Sequence, residues 1–143
     1  MAAIKNKNTK PEILVRKNLH ELGYRYRLHS KNVPGKPDIY LAKWKLAVFV
    51  NGCFWHGHQQ CPLYRLPKTR QEFWASKVAA NVARDILIRG QLTEMGIRYL
   101  DIWECALKGR SAVSLKEFSL KVDSAVKSKD LSQEIRGSVF TIN

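Results

Sequence analysis

Eleven consecutive residues, Asn51 to Cys61 (NGCFWHGHQQC), hold two of the chain's three cysteines, two histidines and an adjacent Phe-Trp pair. Thiolates and imidazoles are the usual ligands of tetrahedral zinc. Cys53-x4-His58-x2-Cys61, followed much later by Cys105, makes up a Cys3His set of the kind found in closed structural sites. The plainer reading is small buried thiols beside a surface histidine. A four-ligand site leaves one histidine over, so either His56 or His58 is free for other chemistry, and spacing does not say which. A histidine held rigidly beside a metal is well placed to act as a general base near neutral pH.

The carboxylates that could serve such a base are scattered. Asp38 stands in GKPD among basic residues, where it is either a turn residue and charge partner or a ligand for a hard cation such as Mg2+, which favours carboxylates and waters. Glu12 has a local explanation as the glutamate of a capping box. Asp85 falls on a long helical segment in which Trp74, Lys77, Asn81 and Asp85 share about an 80° sector. Ala75, Ala79, Val82, Ala83 and Ile86 lie opposite. A polar stripe of this kind reads as a solvated face, although a tryptophan among basic residues can also stack on nucleobases.

The elements that must bring these residues together can be read from capping and periodicity. Thr9-Lys10-Pro11-Glu12 predicts a helix start with Thr9 as N-cap, ending at Gly23. Tyr24 to His29 (YRYRLH) alternates, which predicts a half-exposed strand with Arg25, Arg27 and His29 on its outer face. VPGKPD is a turn before IYLA, and LAVFV, Leu46 to Val50, is a continuous apolar run typical of a buried strand. Thr69-Arg70-Gln71-Glu72 reads as a second capping box, opening a helix to about Met95 that stops at Gly96. Ile97 to Trp103 is the next strand, and Ser114-Leu115-Lys116-Glu117 opens a last helix to about Lys127. A strand-helix-strand unit of this length predicts parallel strands with a right-handed crossover. Their carboxyl ends then share one sheet edge, so Cys53 and Cys105 can meet across the intervening chain.

At 143 residues, with 45% apolar and 26% charged residues, the chain suits one globular domain, read as 1–130 with a mobile tail at 131–143. It has neither an apolar run long enough for a membrane span nor the apolar core of a secretory signal, and the odd cysteine count argues against a disulfide framework. The formal net charge is +13. Residues 1–45 hold eleven Lys or Arg against three acids, a surplus that favours a polyanionic partner over a membrane surface.

Taken together, NTKPEILVRK, LGYRYRLH, PGKPDI, FVNGCFWHGHQQC, TRQEFWASKVAANVARD and WECALKG resemble the very-short-patch mismatch-repair (Vsr-type) DNA endonucleases across about residues 4–110. The resemblance implies an α/β, restriction-endonuclease-like (PD-(D/E)xK-type) fold: a mixed sheet flanked by helices, with a structural zinc site. It implies Mg2+-dependent nicking of one strand beside the T of a T:G mismatch arising from 5-methylcytosine deamination. Asp38 would then be the Mg2+ ligand, His56 the general base, and Glu12 and Asp85 supporting acids. Cys53, His58, Cys61 and Cys105 would bind zinc, leaving His56 as the spare histidine. Phe54, Trp55 and Trp74 match the aromatics that wedge beside the mismatch, and Lys77, Asn81 and Asn51 are further DNA-contacting positions.

The partners implied are mismatched double-stranded DNA and mismatch-repair proteins, for a monomer acting in a bacterial-type cytoplasm on the nucleoid. The chain departs from the family in two places. Asn51 occupies the position of a histidine and cannot act as an acid or base, and only about eight residues precede Thr9 where the family has a basic arm. A mismatch-independent nuclease of homing or restriction type, or a non-catalytic zinc-stabilised DNA-binding module, are the alternatives on the same residues.

Overall fold

The computed structural model describes residues 8–138; the short segment ahead of Thr9, up to residue 7, and the tail positions 139–143 lie outside the described residues. Three helices, α1 (Lys10–Glu21), α2 (Gln71–Glu94) and α3 (Leu115–Lys127), enclose a five-stranded sheet. Its strands are β1 (Arg27–Leu28), β2 (Ile39–Leu41), β3 (Leu46–Asn51), β4 (Arg98–Trp103) and β5 (Ser132–Ile135), in spatial order β1-β2-β3-β4-β5. β1, β2 and β3 pair antiparallel, whereas β3, β4 and β5 pair parallel. The sheet is therefore mixed.

Two faces of apolar side chains explain the layering. On one face Val15 and Leu19 of α1 and Phe118, Val122 and Val126 of α3 meet Ile39, Leu41, Leu46, Val48, Leu100 and Ile102. On the other, Ile88 and Leu92 of α2 cover Ala47, Phe49 and Tyr99. β3 contributes to both, which is why its sequence is apolar without alternation. Burial of these side chains contributes roughly 1.5–3 kcal/mol each, the term that offsets chain entropy.

Helix starts follow the caps in two of three cases. Thr9 accepts from the Glu12 N–H at 3.3 Å and Ser114 accepts from the Glu117 N–H at 3.1 Å. The capping box expected at Thr69 does not form. Arg70 precedes the helix in a left-handed conformation, with no side-chain cap bond.

Three further expectations are corrected. The strand read over Tyr24 to His29 shrinks to Arg27–Leu28, the two residues that pair with Tyr40 and Ile39 of β2, although Tyr24 and Tyr26 face the core as the alternation predicts. His29 takes φ 48°, which breaks the alternation and swings its side chain inward to Glu12 rather than outward. The boundary at 130 falls too early: β5 extends the sheet by a parallel strand on β4.

Candidate active site and metal centre

Two residues past the ends of β3 and β4, where Asn51 pairs in register with Trp103, stand Cys53 and Cys105. With His58 and Cys61 their ligand atoms all lie within 4.8 Å of one another, and all four residues are buried. The Cys105 Sγ and His58 Nδ1 are 3.6 Å apart. Bond lengths of about 2.3 Å to sulfur and 2.05 Å to nitrogen at a tetrahedral centre imply an edge of about 3.6 Å, so the donors fit a four-coordinate metal.

The surroundings fit it as well. Cys53 Sγ accepts the Cys105 N–H at 3.3 Å and Cys105 Sγ the Gly137 N–H at 3.2 Å, while the His58 ring stacks on Trp103 at 3.8 Å between centroids. Burial, and then the Arg136 charge, lower the His58 pKa to about 4, keeping the imidazole in the neutral form that a metal requires. Burial raises the Cys53 and Cys105 thiols, a cost that a bound cation reverses.

The same loop carries the second centre. From Gly52 onward it packs on the first half of α2: Asn81 Nδ2 donates to the Trp55 carbonyl at 3.0 Å. A Cβ on Gly57, at φ +56°, would come within 2.9 Å of Val78. The helical stripe read as a solvated face instead borders a cavity, for Lys77, Asn81 and Asp85 line a cleft of about 720 Å³, together with Glu12, Asp38, Asn51, Trp55 and His56. Much of the opposite stripe is exposed instead, Ile86 to 69%, because only the second half of α2 covers the sheet.

Within the cleft, His56 Nδ1 is 2.6 Å from Asp85 Oδ2. A carboxylate at Nδ1 selects the tautomer whose Nε2 carries the free lone pair. Asp38, at the head of β2, accepts the Val50 N–H at 2.7 Å through Oδ2. Burial pushes its pKa up to about 6; the Val50 bond opposes this, the Glu12 charge adds to it, and His29 and His56 oppose it. Glu12, Asp38 and His29 place one ligand atom each within 4.8 Å of one another. A buried acid, Glu12, beside the half-buried Asp38, whose pKa is raised to about 6, forms a donor set that a hard cation would relieve.

Glu12 is more than a cap: its Oε1 binds Arg16 at 2.6 Å and His29 at 2.7 Å. Asn51 is 4% exposed and gives its amide N–H to Asp101, which also binds Arg89. Phe54, Trp55 and Trp74 do meet, in edge-to-face pairs at 5.1, 6.0 and 5.8 Å, and Phe73 and Tyr64 extend the cluster.

Sequence reasoning passed over His29, Arg16, Phe73, Arg89, Asp101 and Arg136. His29 gave a misleading signal by alternating with apolar residues. The Arg89–Asp101 pair had none, since its members are twelve residues apart on different elements.

Comparison with known proteins accords with this geometry. The model of the family "DNA mismatch endonuclease Vsr" matches residues 1–62. The type II nicking enzyme V.XorIIP of Xanthomonas oryzae pv. oryzae is 44% identical over 81% of this chain and 85% of its own length. V.NmeAIP of Neisseria meningitidis, also a type II nicking enzyme, is 45% identical over 78% and 79%. The DNA mismatch endonuclease Vsr of Escherichia coli K12 is 34% identical over 94% and 86%. Among solved structures, the catalytic domain of the homing endonuclease I-Bth0305I superposes with a TM-score of 0.53 at 22% identity, over 85% of this chain and all of that one, a likeness of fold. With curated relatives above 30% identity along most of its length, the chain belongs to the Vsr family and is a DNA nicking endonuclease.

Proposed function

We propose that the chain nicks one strand of duplex DNA beside the T of a T:G mismatch of the kind left by deaminated 5-methylcytosine, with Mg2+ at Asp38 and a structural zinc on Cys53, His58, Cys61 and Cys105. The observation that carries this reading is a single cleft shared by Asp38 and the His56–Asp85 pair, with an aromatic cluster at Trp55 on its wall. The name of the Escherichia coli relative supports the mismatch substrate.

Mg2+, when bound, polarises the scissile phosphate and steadies the departing oxygen. The protein's own groups do the rest. His56 Nε2 takes the proton of the attacking water, and Asp85 holds the imidazole in the tautomer able to do so. Glu12, held between Arg16 and His29, keeps a second carboxylate beside Asp38.

Phe54, Trp55 and Trp74 enter the base stack, at an unstacking cost of about a few kcal/mol that is least at a mispair, so deformability itself discriminates. Lys77 meets the backbone from the cleft wall, while Asn81 acts through the Trp55 carbonyl, setting the wedge. The zinc-bound loop holds wedge and base in place relative to Asp38.

A nicking assay with Mg2+ on T:G and fully paired duplexes, with the cut position mapped, tests this. Cutting confined to the mismatched strand supports it. Equal cutting of paired duplex makes the protein a mismatch-independent site-specific nuclease instead.

A further inference from the structure

Asn51 lines the cleft at the carboxyl end of β3, and the network behind it gives it a definite direction. It closes β3 with its side chain toward Asp101 on β4, donating from Nδ2 to Asp101 Oδ1 at 2.8 Å. Both Asp101 oxygens also receive the Arg89 guanidinium, which lies over the Phe49 ring at 3.7 Å from its centroid and near Tyr99 at 5.7 Å. A carboxylate paired with arginine only accepts hydrogen bonds. The opposite amide orientation would set the Asn51 carbonyl oxygen against that carboxylate, so the usual ambiguity of an amide is removed by its partner. Asn51 Oδ1 is thus the end turned away from Asp101. Among the described residues no donor reaches it, and Asn51 lines the cleft beside His56, Asp85 and Glu104.

An acceptor at the cleft discriminates between ligands. A phosphate oxygen is itself an acceptor and gains nothing from Oδ1, whereas water can donate to it. The one Nδ2 hydrogen not given to Asp101 is the group through which a phosphate contact would show as lost affinity in Asn51→Ala. We propose that Asn51 is a positioning residue that takes a hydrogen bond from water in the cleft and does not hold a DNA phosphate, its direction set by Arg89 and Asp101. This rests on the nicking activity proposed above and specifies how that site orders its water. Misplacing a reacting group by about 1 Å costs on the order of 100-fold in rate. Loss of one acceptor among several should therefore slow nicking by about 10- to 100-fold.

The test begins with wild-type protein on T:G and paired duplexes, then follows Asn51→Ala and Asp101→Asn on whichever is cut. Single-turnover nicking in Mg2+ is compared with duplex affinity measured without divalent metal and with exchange of the Asn51 side-chain amide protons by NMR. Nicking slowed by about 10- to 100-fold with affinity within about 2-fold is the expected result. The amide protons should exchange slowly in wild type and quickly in Asp101→Asn. Affinity that falls in step with nicking in Asn51→Ala identifies a phosphate contact and overturns the proposal, as does wild-type nicking by that variant. Unchanged amide exchange in Asp101→Asn overturns the orientation. Asn51→Ala decides the rate-against-affinity split by itself if Asp101→Asn does not fold. A wild-type protein that cuts neither duplex defeats the proposed function, while amide exchange still decides the orientation.

Discussion

Asp38 shows how a side chain placed for chemistry works against the metal-free fold. Its pKa rises from an ordinary carboxylate value to about 6, chiefly through burial. A group whose folded pKa lies above its unfolded one contributes stability that is present below the unfolded value, near pH 4, and lost as pH rises through about 6. At neutral pH the ionised carboxylate therefore costs the metal-free protein on the order of 2–3 kcal/mol. Asp38→Asn keeps an oxygen for the Val50 N–H but carries no charge. It should raise the unfolding free energy at pH 7 by about 1–3 kcal/mol, leave it nearly unchanged at pH 4, and abolish nicking. Urea unfolding at the two pH values, with a nicking assay alongside, checks this; equal stabilisation at both would detach the effect from ionisation. Asp85→Asn gives a second handle: with an amide beside Nδ1 the tautomer is no longer enforced, and nicking should fall by about 100-fold or more with duplex affinity retained.

Segments between and beyond the helices carry as much of the site as the helices do. The strap after β5 closes the cysteine cluster: Gly137 donates to Cys105 Sγ, and Arg136 donates to the Gln59 and Gln60 carbonyls of the ligand loop. A Cβ on Gly137 would lie 2.5 Å from the Cys105 carbonyl oxygen and 2.6 Å from Ser111 Oγ, so no larger residue fits unless the strap moves. Gly137→Ala should destabilise the protein by about 1–3 kcal/mol and speed zinc loss to a chelator, read by a colorimetric zinc assay and thermal unfolding. Zinc retained as in wild type would remove the strap from the metal site.

Arg98 plays a comparable part at the other end of β4. Its guanidinium donates to the carbonyls of Ala125, Val126 and Ser128 at the end of α3 and to that of Trp44. Carbonyls at a helix end lack partners within the helix, so Arg98→Ala should cost about 2–4 kcal/mol of stability without altering the nicking rate of the folded fraction. Denaturant unfolding paired with active-site titration separates the two effects.

Across the chain, two chemistries converge on one edge of the parallel strands. The Cys3His cluster joins residues 53–61 to residue 105, so zinc bound there, as proposed above, would tie the cleft's loop to the end of β4. Cys105→Ser should therefore lose zinc and helical signal together, and a chelator should do the same to wild type, monitored by circular dichroism and metal content. A variant that stays folded and zinc-loaded would contradict the ligand set. No helix among the described residues is long and apolar enough to cross a membrane.

Local signals in the residue order carried the caps at Thr9 and Ser114, the buried strand read at Leu46 to Val50, the parallel pairing of β3 with β4 and the Cys3His set, because each depends on neighbouring residues or on one strand-helix-strand unit. Resemblance added the function and the identity of the spare histidine. Where a residue faces is another matter. Periodicity says which side chains share a side of an element; it does not say what that side meets. For α2 the answer was reversed, since half the helix lies on the ligand loop rather than the sheet, turning Asp85 and Lys77 into the cleft and leaving Ile86 in solvent. His29 was reversed by one left-handed residue, and Asn51 acquired its direction from Asp101 and Arg89, fifty and thirty-eight residues away along the chain. Contacts of that range depend on packing, which no local pattern encodes.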